Sequence, residues 1–369
     1  MIREERIKKT FWELALTNSP SRAERPLCDY LQNRLQGLGL TVWEDGAAAV
    51  VEGNSGNLHA RAGDRVRRVL MAHMDTVQPT IGLRPQLMDD MITAQGGTIL
   101  GADDKAGITA ILEGLSSLHE DGWTLDGVQI IFTVAEEIGL LGAAALDLSD
   151  LRAADGFVFD SGGPVGTIIV QAPWEIDLQV TFHGRAAHSG VEPEKGRSAI
   201  QMLANAVDNM RLGRLDEEST ANVGLVSGGS GINIVPAMAQ LWAGARSLQA
   251  KKVQSQVTAM EKACHEAAQR FGGHIHVERV LAYPGFKLDE GDRVVRMAMA
   301  AARRIGLVPR LQSRGGGSDT NVLNGRGLKA VNLGIGVEND HTSAERVRLT
   351  DLKKCARLAE VLLRGTDHD

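Results

Sequence analysis

Apolar and polar positions along the chain follow two different rhythms. Residues 4–17 and 24–38 repeat apolar positions at helical spacing, and the turn Asn18-Ser19-Pro20-Ser21 separates them. Short strands are predicted at Thr41–Glu44 and at 48–52. Residues 68–74 are almost wholly apolar and read as a buried strand, as do 128–134 and 156–159. Between them, Ile108, Ile111, Leu112, Leu115 and Leu118 form a helical stripe over 106–119. Buried strands alternating with helices predict an α/β fold: a mixed, mostly parallel sheet with helices on both faces.

The rhythm changes near Pro173. Residues 177–183 alternate apolar and polar like a half-exposed strand. A helix at 198–210 follows, then strands at 222–226 and 239–247, a helix at 251–271 and a strand at 274–280. That βαββαβ order is the split pattern of a ferredoxin-like domain. After Tyr283-Pro284-Gly285 the first rhythm resumes, with a helix at 293–305, a strand at 329–333 and a helix at 350–364. The chain is therefore read as residues 1–172 and 283–369 forming one domain, with 173–282 inserted as a second.

Composition narrows the function classes. The net charge is −6, which argues against a nucleic-acid partner, since such proteins show a basic stripe. No apolar run reaches the ~18 residues of a membrane span. The charged start Met-Ile-Arg-Glu-Glu-Arg lacks the apolar core of a secretory signal. Cys28, Cys264 and Cys355 are too scattered for a disulfide framework, so a cytoplasmic location is expected. The chain has 42 glycines in 369 residues, above the usual ~7%, which implies many tight turns.

Five segments place histidine or carboxylate side chains at strand ends or in adjoining loops. In Met71-Ala72-His73-Met74-Asp75, the His and Asp lie two apart, so both project to one side of an extended segment. Such a pair suits a metal-binding imidazole held by a carboxylate, or simply a hydrogen-bonded strand end. Gly101-Ala102-Asp103-Asp104-Lys105-Ala106-Gly107 precedes a helix, where acidic residues also serve as caps. Glu136 and Glu137 follow an apolar strand. On extended backbone they would point to opposite sides, one toward a metal and one toward a substrate water. Asp160 ends another buried strand, where open α/β sheets bind ligands. His341 lies in the late loop Asn339-Asp340-His341-Thr342-Ser343-Ala344-Glu345. Each has a bland explanation alone. Together they supply mixed nitrogen and oxygen donors without cysteine, which suits Zn²⁺, with Co²⁺ or Mn²⁺ as substitutes.

In this order, the five segments and the inserted domain resemble the M20 family of dinuclear zinc peptidases and amidohydrolases. Through Gly101–Gly107 and Gly316-Gly317-Ser318-Asp319, the likeness is greatest to its tripeptide aminopeptidases. The resemblance implies two Zn²⁺ per subunit: His73 and Asp160 on one, Glu137 and His341 on the other, Asp103 bridging. It makes Glu136 the general base and Asp75 the residue orienting His73, and implies a cis Asp103–Asp104 bond. His188, in Gly184-Arg185-Ala186-Ala187-His188-Ser189-Gly190, resembles a lid histidine that stabilises the oxyanion. Asn233 and Arg246 match substrate-gripping residues, Arg246 by its carboxylate-binding fork. The Gly316, Gly317 and Ser318 loop could offer N–H groups to a carboxylate. The implied partners are a short peptide and a second copy paired through the lid, whose helix is apolar enough for that. An aspartate at position 160 goes with aminopeptidases and dipeptidases in this family. A glutamate there goes with the alternatives, carboxypeptidases and N-acyl-amino-acid amidohydrolases.

Other patterns carry less. His265-Glu266-Ala267-Ala268-Gln269 lacks the second histidine of a zincin helix. Gly228-Gly229-Ser230-Gly231 does not fit a nucleophile elbow, and there is no P-loop or dinucleotide fingerprint.

Overall fold

The structure is a computed structural model that describes residues 1–149, 151 and 154–365. The chain divides into two compact units. The larger comprises Met1–Gln171, Lys287–Ser313 and Ser318–Asp369; the smaller comprises Ala172–Phe286 and Arg314–Gly317.

In chain order, the elements open with α1 (Glu4–Leu16), α2 (Arg25–Gly37), β1 (Thr41–Glu44), α3 (Ala47–Val51), β2 (Leu58–Ala62) and β3 (Arg68–His73). The hairpin strands β4 (Arg84–Met88) and β5 (Met91–Gln95) follow, then α4 (Ala102–Glu120), β6 (Val128–Thr133), α5 (Leu141–Ala145), β7 (Asp155–Ser161) and β8 (Thr167–Ala172). The smaller unit holds β9 (Trp174–His183), α6 (Ala199–Asp208), β10 (Gly213–Arg214), β11 (Ser219–Gly228), β12 (Met238–Ser247), α7 (Ala250–Arg270) and β13 (His274–Tyr283). The chain then runs through β14 (Phe286–Lys287), α8 (Arg293–Arg304), β15 (Arg310–Ser313), α9 (Asp319–Gly325), β16 (Ala330–Gly334), β17 (Val337–Glu338), β18 (Arg346–Arg348) and α10 (Leu349–Arg364).

The main sheet of the larger unit runs β1-β2-β6-β3-β7-β16-β8. Its centre, β6-β3-β7-β16, is parallel, and β2 and β8 flank it antiparallel. All side chains of β3 and β6 are buried, as expected of strands covered on both faces. Helix α4 is buried nearly all round rather than along one stripe. Gly107 lets it lie against β7, since a Cβ there would meet the Phe159 carbonyl oxygen at 2.1 Å. This packing brings the start of α4 beside the carboxyl ends of β3 and β7.

Of residues 48–52, expected as a strand, 48–51 are instead helical within α3 and Glu52 is left-handed. The Asp45 carboxylate accepts the Ala47 N–H at 2.9 Å and starts a helical turn, and three alanines favour continuing it. Only Ala47 and Val51 are buried there, a spacing of one helical turn.

The smaller unit is an antiparallel sheet in the order β10-β11-β12-β9-β13, with α6 and α7 packed on it. Ala199, Met202, Leu203 and Ala206 of α6 lie in this unit's own core beside Val253, Val257 and Met260 of α7. Among the described residues, no helix is long and apolar enough to cross a membrane.

Candidate metal centre

His73 ends β3 with its side chain 2% exposed. Its Nε2 lies 3.1 Å from Asp103 Oδ1 and 3.7 Å from Asp160 Oδ1. His341 Nε2 lies 3.2 Å from Asp103 Oδ2 and 3.0 Å from Glu137 Oε2. Asp103 thus gives one oxygen to each imidazole. The five residues expected as metal ligands converge, and Asp103 sits between the two pairs. The Asp103–Asp104 peptide bond is cis. Asp104 also lies near His73 and Asp160, but its oxygens accept backbone groups: His73 N–H at 3.2 Å and Gly107 N–H at 3.1 Å. It therefore caps the helical part of α4, the ordinary role of an acid at that place.

Glu136 and Glu137 are not on extended backbone. Strand β6 stops at Thr133, Ala135 is left-handed (φ 54°), and Gly139 and Leu140 donate back to the Glu136 carbonyl. A turn, rather than strand alternation, separates the two side chains. Burial pushes the Glu136 carboxyl well above the usual glutamate range; Asp160, Asp319 and Glu137 push the same way, and His73 opposes them. Among the described residues no hydrogen bond or ion pair holds the Glu136 carboxylate.

The electrostatics fit a cation. Asp103, Asp104, Asp160, Glu136, Glu137 and Asp319 gather around two imidazoles. Burial opposes a proton on His73, yet its hydrogen bonds with Asp103 and Asp75 hold it well above the ordinary histidine range. Hydrogen bonds with Asp103 and Glu137 push His341 up to about 11. Even with both imidazoles protonated, Glu137 Oε1 remains buried without a partner. Buried carboxylates that need borrowed protons, one still with an idle oxygen, are the donor set of divalent ions.

The residues behind these ligands were mostly not singled out in the sequence. His73 Nδ1 is 2.9 Å from the Asp75 main-chain carbonyl and 3.6 Å from its carboxylate. The fully buried Asp75 carboxylate also accepts the N–H groups of Glu136 (2.9 Å) and Glu137 (3.1 Å) and the Ser21 hydroxyl (2.6 Å). Asn332 of β16 accepts the Asp160 N–H at 3.1 Å and donates to Asp160 Oδ2 at 3.3 Å. Glu345 is buried and accepts the N–H groups of Gly101 (2.6 Å) and Asp103 (2.9 Å). Lys105, fully buried, donates to the Thr17 carbonyl at 2.7 Å. Asp75 was expected here, Lys105 and Glu345 stood in the segments that carry Asp103 and His341, and nothing in the sequence pointed to Asn332.

Of the other expected residues, His188, Asn233, Arg246 and Gly317 belong to the smaller unit and Ser318 to the larger. His188 and Asn233 are exposed on adjoining segments of the smaller unit, where Ser189 N–H donates to the Asn233 carbonyl at 3.0 Å. Arg246, on β12, is already ion-paired through Nε to Glu175 Oε1 at 2.9 Å. It lines a groove of about 750 Å³ with Glu175, Asp177, Glu278 and Trp242. Gly317 packs against the Tyr283 ring, which a Cβ would meet at 2.3 Å. Ser318 begins α9 as half of a capping box with Asn321, its hydroxyl paired to Thr320.

The model of Peptidase family M20/M25/M40 matches residues 69–365. The chain belongs to the M20 family. It is a hydrolytic metallopeptidase with the mixed α/β architecture of that family. The chain is 41% identical over 368 residues to the uncharacterized protein YqjE of Bacillus subtilis strain 168, covering 98% of this chain and 99% of the other. A solved structure, aminopeptidase PepT from Bacillus cereus ATCC 10987, is 41% identical with a TM-score of 0.86, covering 98% of each chain. A tripeptidase from Staphylococcus aureus Mu50 is 36% identical with a TM-score of 0.89, covering 99% of this chain and 100% of that one.

Proposed function

We propose that this M20 chain is an aminopeptidase that releases the N-terminal residue of short peptides, tripeptides foremost. The observation that carries the reading is whole-length likeness, in sequence and fold, to an aminopeptidase and a tripeptidase. In this reading His73 and Asp160 hold one Zn²⁺, Glu137 and His341 hold a second, and Asp103 serves both. When bound, such ions polarise the scissile carbonyl and acidify water.

The chain's own residues do the rest. Glu136, its pKa raised by burial, takes the proton of the attacking water and passes it to the departing amine. Asp75 and Asn332 hold the backbone and side chains that present Glu136, Glu137 and Asp160. His188 donates to the developing oxyanion and Asn233 grips the peptide backbone. Arg246, fixed through Nε by Glu175, offers its outer edge to the peptide carboxylate. The Gly317 and Ser318 loop has a weaker claim to substrate, since one residue is packed on Tyr283 and the other caps α9.

Rates on Ala-Ala-Ala and on its N-acetylated form test the reading. The free tripeptide is expected to be cleaved and the blocked one not. Preference for the blocked form would replace this reading with the carboxypeptidase or N-acyl-amino-acid amidohydrolase alternative.

A further inference from the structure

The turn that carries Glu136 hangs from buried carboxylates supplied by other parts of the chain. Three consecutive N–H groups are each held by one carboxylate oxygen. Glu136 and Glu137 donate to the two oxygens of Asp75, as described above. The preceding N–H, that of Ala135, donates to Glu24 Oε1 at 3.0 Å. Glu24 is wholly buried, and its Oε1 also accepts the Arg22 N–H at 3.0 Å. It sits at the N-terminal end of α2, where its own carbonyl accepts the Leu27 and Cys28 N–H groups at 2.9 Å each. The helix therefore fixes the carboxylate that fixes the turn.

The same loop reinforces the arrangement. Ser21 donates to Asp75, Ser19 Oγ donates to the Met74 carbonyl at 2.8 Å, and Thr76 N–H donates to the Ser19 carbonyl at 3.0 Å. The segment 17–24 thus reaches both the residue that holds the Glu-Glu turn and the turn itself. Ala135 is buried and left-handed, a conformation that alanine adopts only where its surroundings impose it. Its buried N–H needs an acceptor, and Glu24 is that acceptor. The Glu136 side chain has no hydrogen bond of its own among the described residues, so its direction is inherited from this backbone.

We propose that Glu24 is a positioning residue for Glu136: by holding the Ala135 N–H it sets the turn that aims the base. This rests on the reading of Glu136 given above. Glu24 touches no reacting group and acts only through the turn.

The test compares Glu24→Ala with Glu24→Gln, which keeps an acceptor oxygen, and reads two quantities. The first is amide hydrogen exchange of the metal-free protein. In Glu24→Ala, exchange over residues 134–139 should accelerate while α4 stays protected, and Glu24→Gln should restore protection. The second is turnover of Ala-Ala-Ala by protein of verified metal content. In Glu24→Ala, kcat should fall about 10–100-fold with KM within about twofold, and Glu24→Gln should recover most of it. If Glu24→Ala does not fold, Glu24→Asp, which withdraws the acceptor by one methylene, carries the same expectations. Unchanged exchange at 134–139 overturns the proposal, as does faster exchange with full metal content and undiminished kcat. Wild-type protein that cleaves no peptide, while Glu24→Ala still loosens the turn, would overturn the functional reading and leave the clamp standing.

Discussion

At the scale of single residues, the decisive question is why Glu136 rather than Glu137 is the free carboxylate. Glu137 Oε2 is 3.0 Å from His341, whereas Glu136 has no such partner and sits among Asp160, Asp319 and Glu137. Their repulsion, added to burial, raises its proton affinity well above that of an ordinary glutamate, the direction the proposed base requires. Replacing it with the isosteric amide removes that function but not the donor set. Glu136→Gln should therefore lose roughly 10²–10⁴ in kcat while elemental analysis finds its metal content unchanged. Loss of metal along with activity would make Glu136 a ligand instead. The five proposed ligands and this base were legible in the sequence because their segments form a recognisable ordered set. Glu24, Ser21 and Asn332 were not, because each serves a backbone or side-chain group far away in sequence. Glu24 meets Ala135, and Asn332 meets Asp160. No local pattern encodes such a pairing.

At the scale of elements, the buried strands and long helices were readable from periodicity, and the errors fall in short elements. The hairpin strands β4 and β5 carry mixed polar and apolar residues with no clean period, and β2 and β8 are only five and six residues long. Helix α3 was misread because its two terminal valines suggest a strand while the Asp45 contact that starts the turn is local and polar. Helix α9 gives Ser318 a structural task of its own. The Gly316-Gly317-Ser318 stretch reads as a flexible anion-binding loop, yet Ser318 is 6% exposed and engaged at the start of α9. Ser318→Ala should lower stability by about 1 kcal/mol, as loss of a helix cap does. Urea unfolding would show this, and KM for Ala-Ala-Ala should stay unchanged. A raised KM with unaltered stability would show that the hydroxyl, beyond the backbone N–H groups first expected of this loop, touches the substrate.

At the scale of the whole molecule, the five proposed metal ligands fall within one of the two compact units. His73, Asp103, Glu137, Asp160 and His341 all belong to the larger unit, although nearly 270 positions separate the first from the last in sequence. The inserted residues Ala172–Phe286 build their own sheet and core around Val180, Phe182, Leu241 and Met260. Ligand binding stabilises the state that binds, by about 2.7 kcal/mol at a hundredfold excess over Kd. Removing metal with a chelator should therefore weaken the larger unit selectively. Hydrogen exchange is expected to rise around 73–76, 101–107, 134–139 and 339–345, while α6, α7 and β12 keep their protection. The effect has a pH sign. To bind metal, His341 must give up a proton that the metal-free protein holds with a pKa of about 11. Protons thus compete with metal throughout the neutral range, and a fixed amount of chelator should strip the protein more completely at lower pH. In the stripped protein that proton itself is stabilising: the contribution is full below the ordinary value of 6.5 and is lost as pH climbs through about 11. Metal removal at acid pH should therefore loosen these loops less than removal at alkaline pH, where the carboxylates face one another without a cation of either kind. Uniform loosening of both units, or no dependence on pH, would contradict a centre confined to these five side chains.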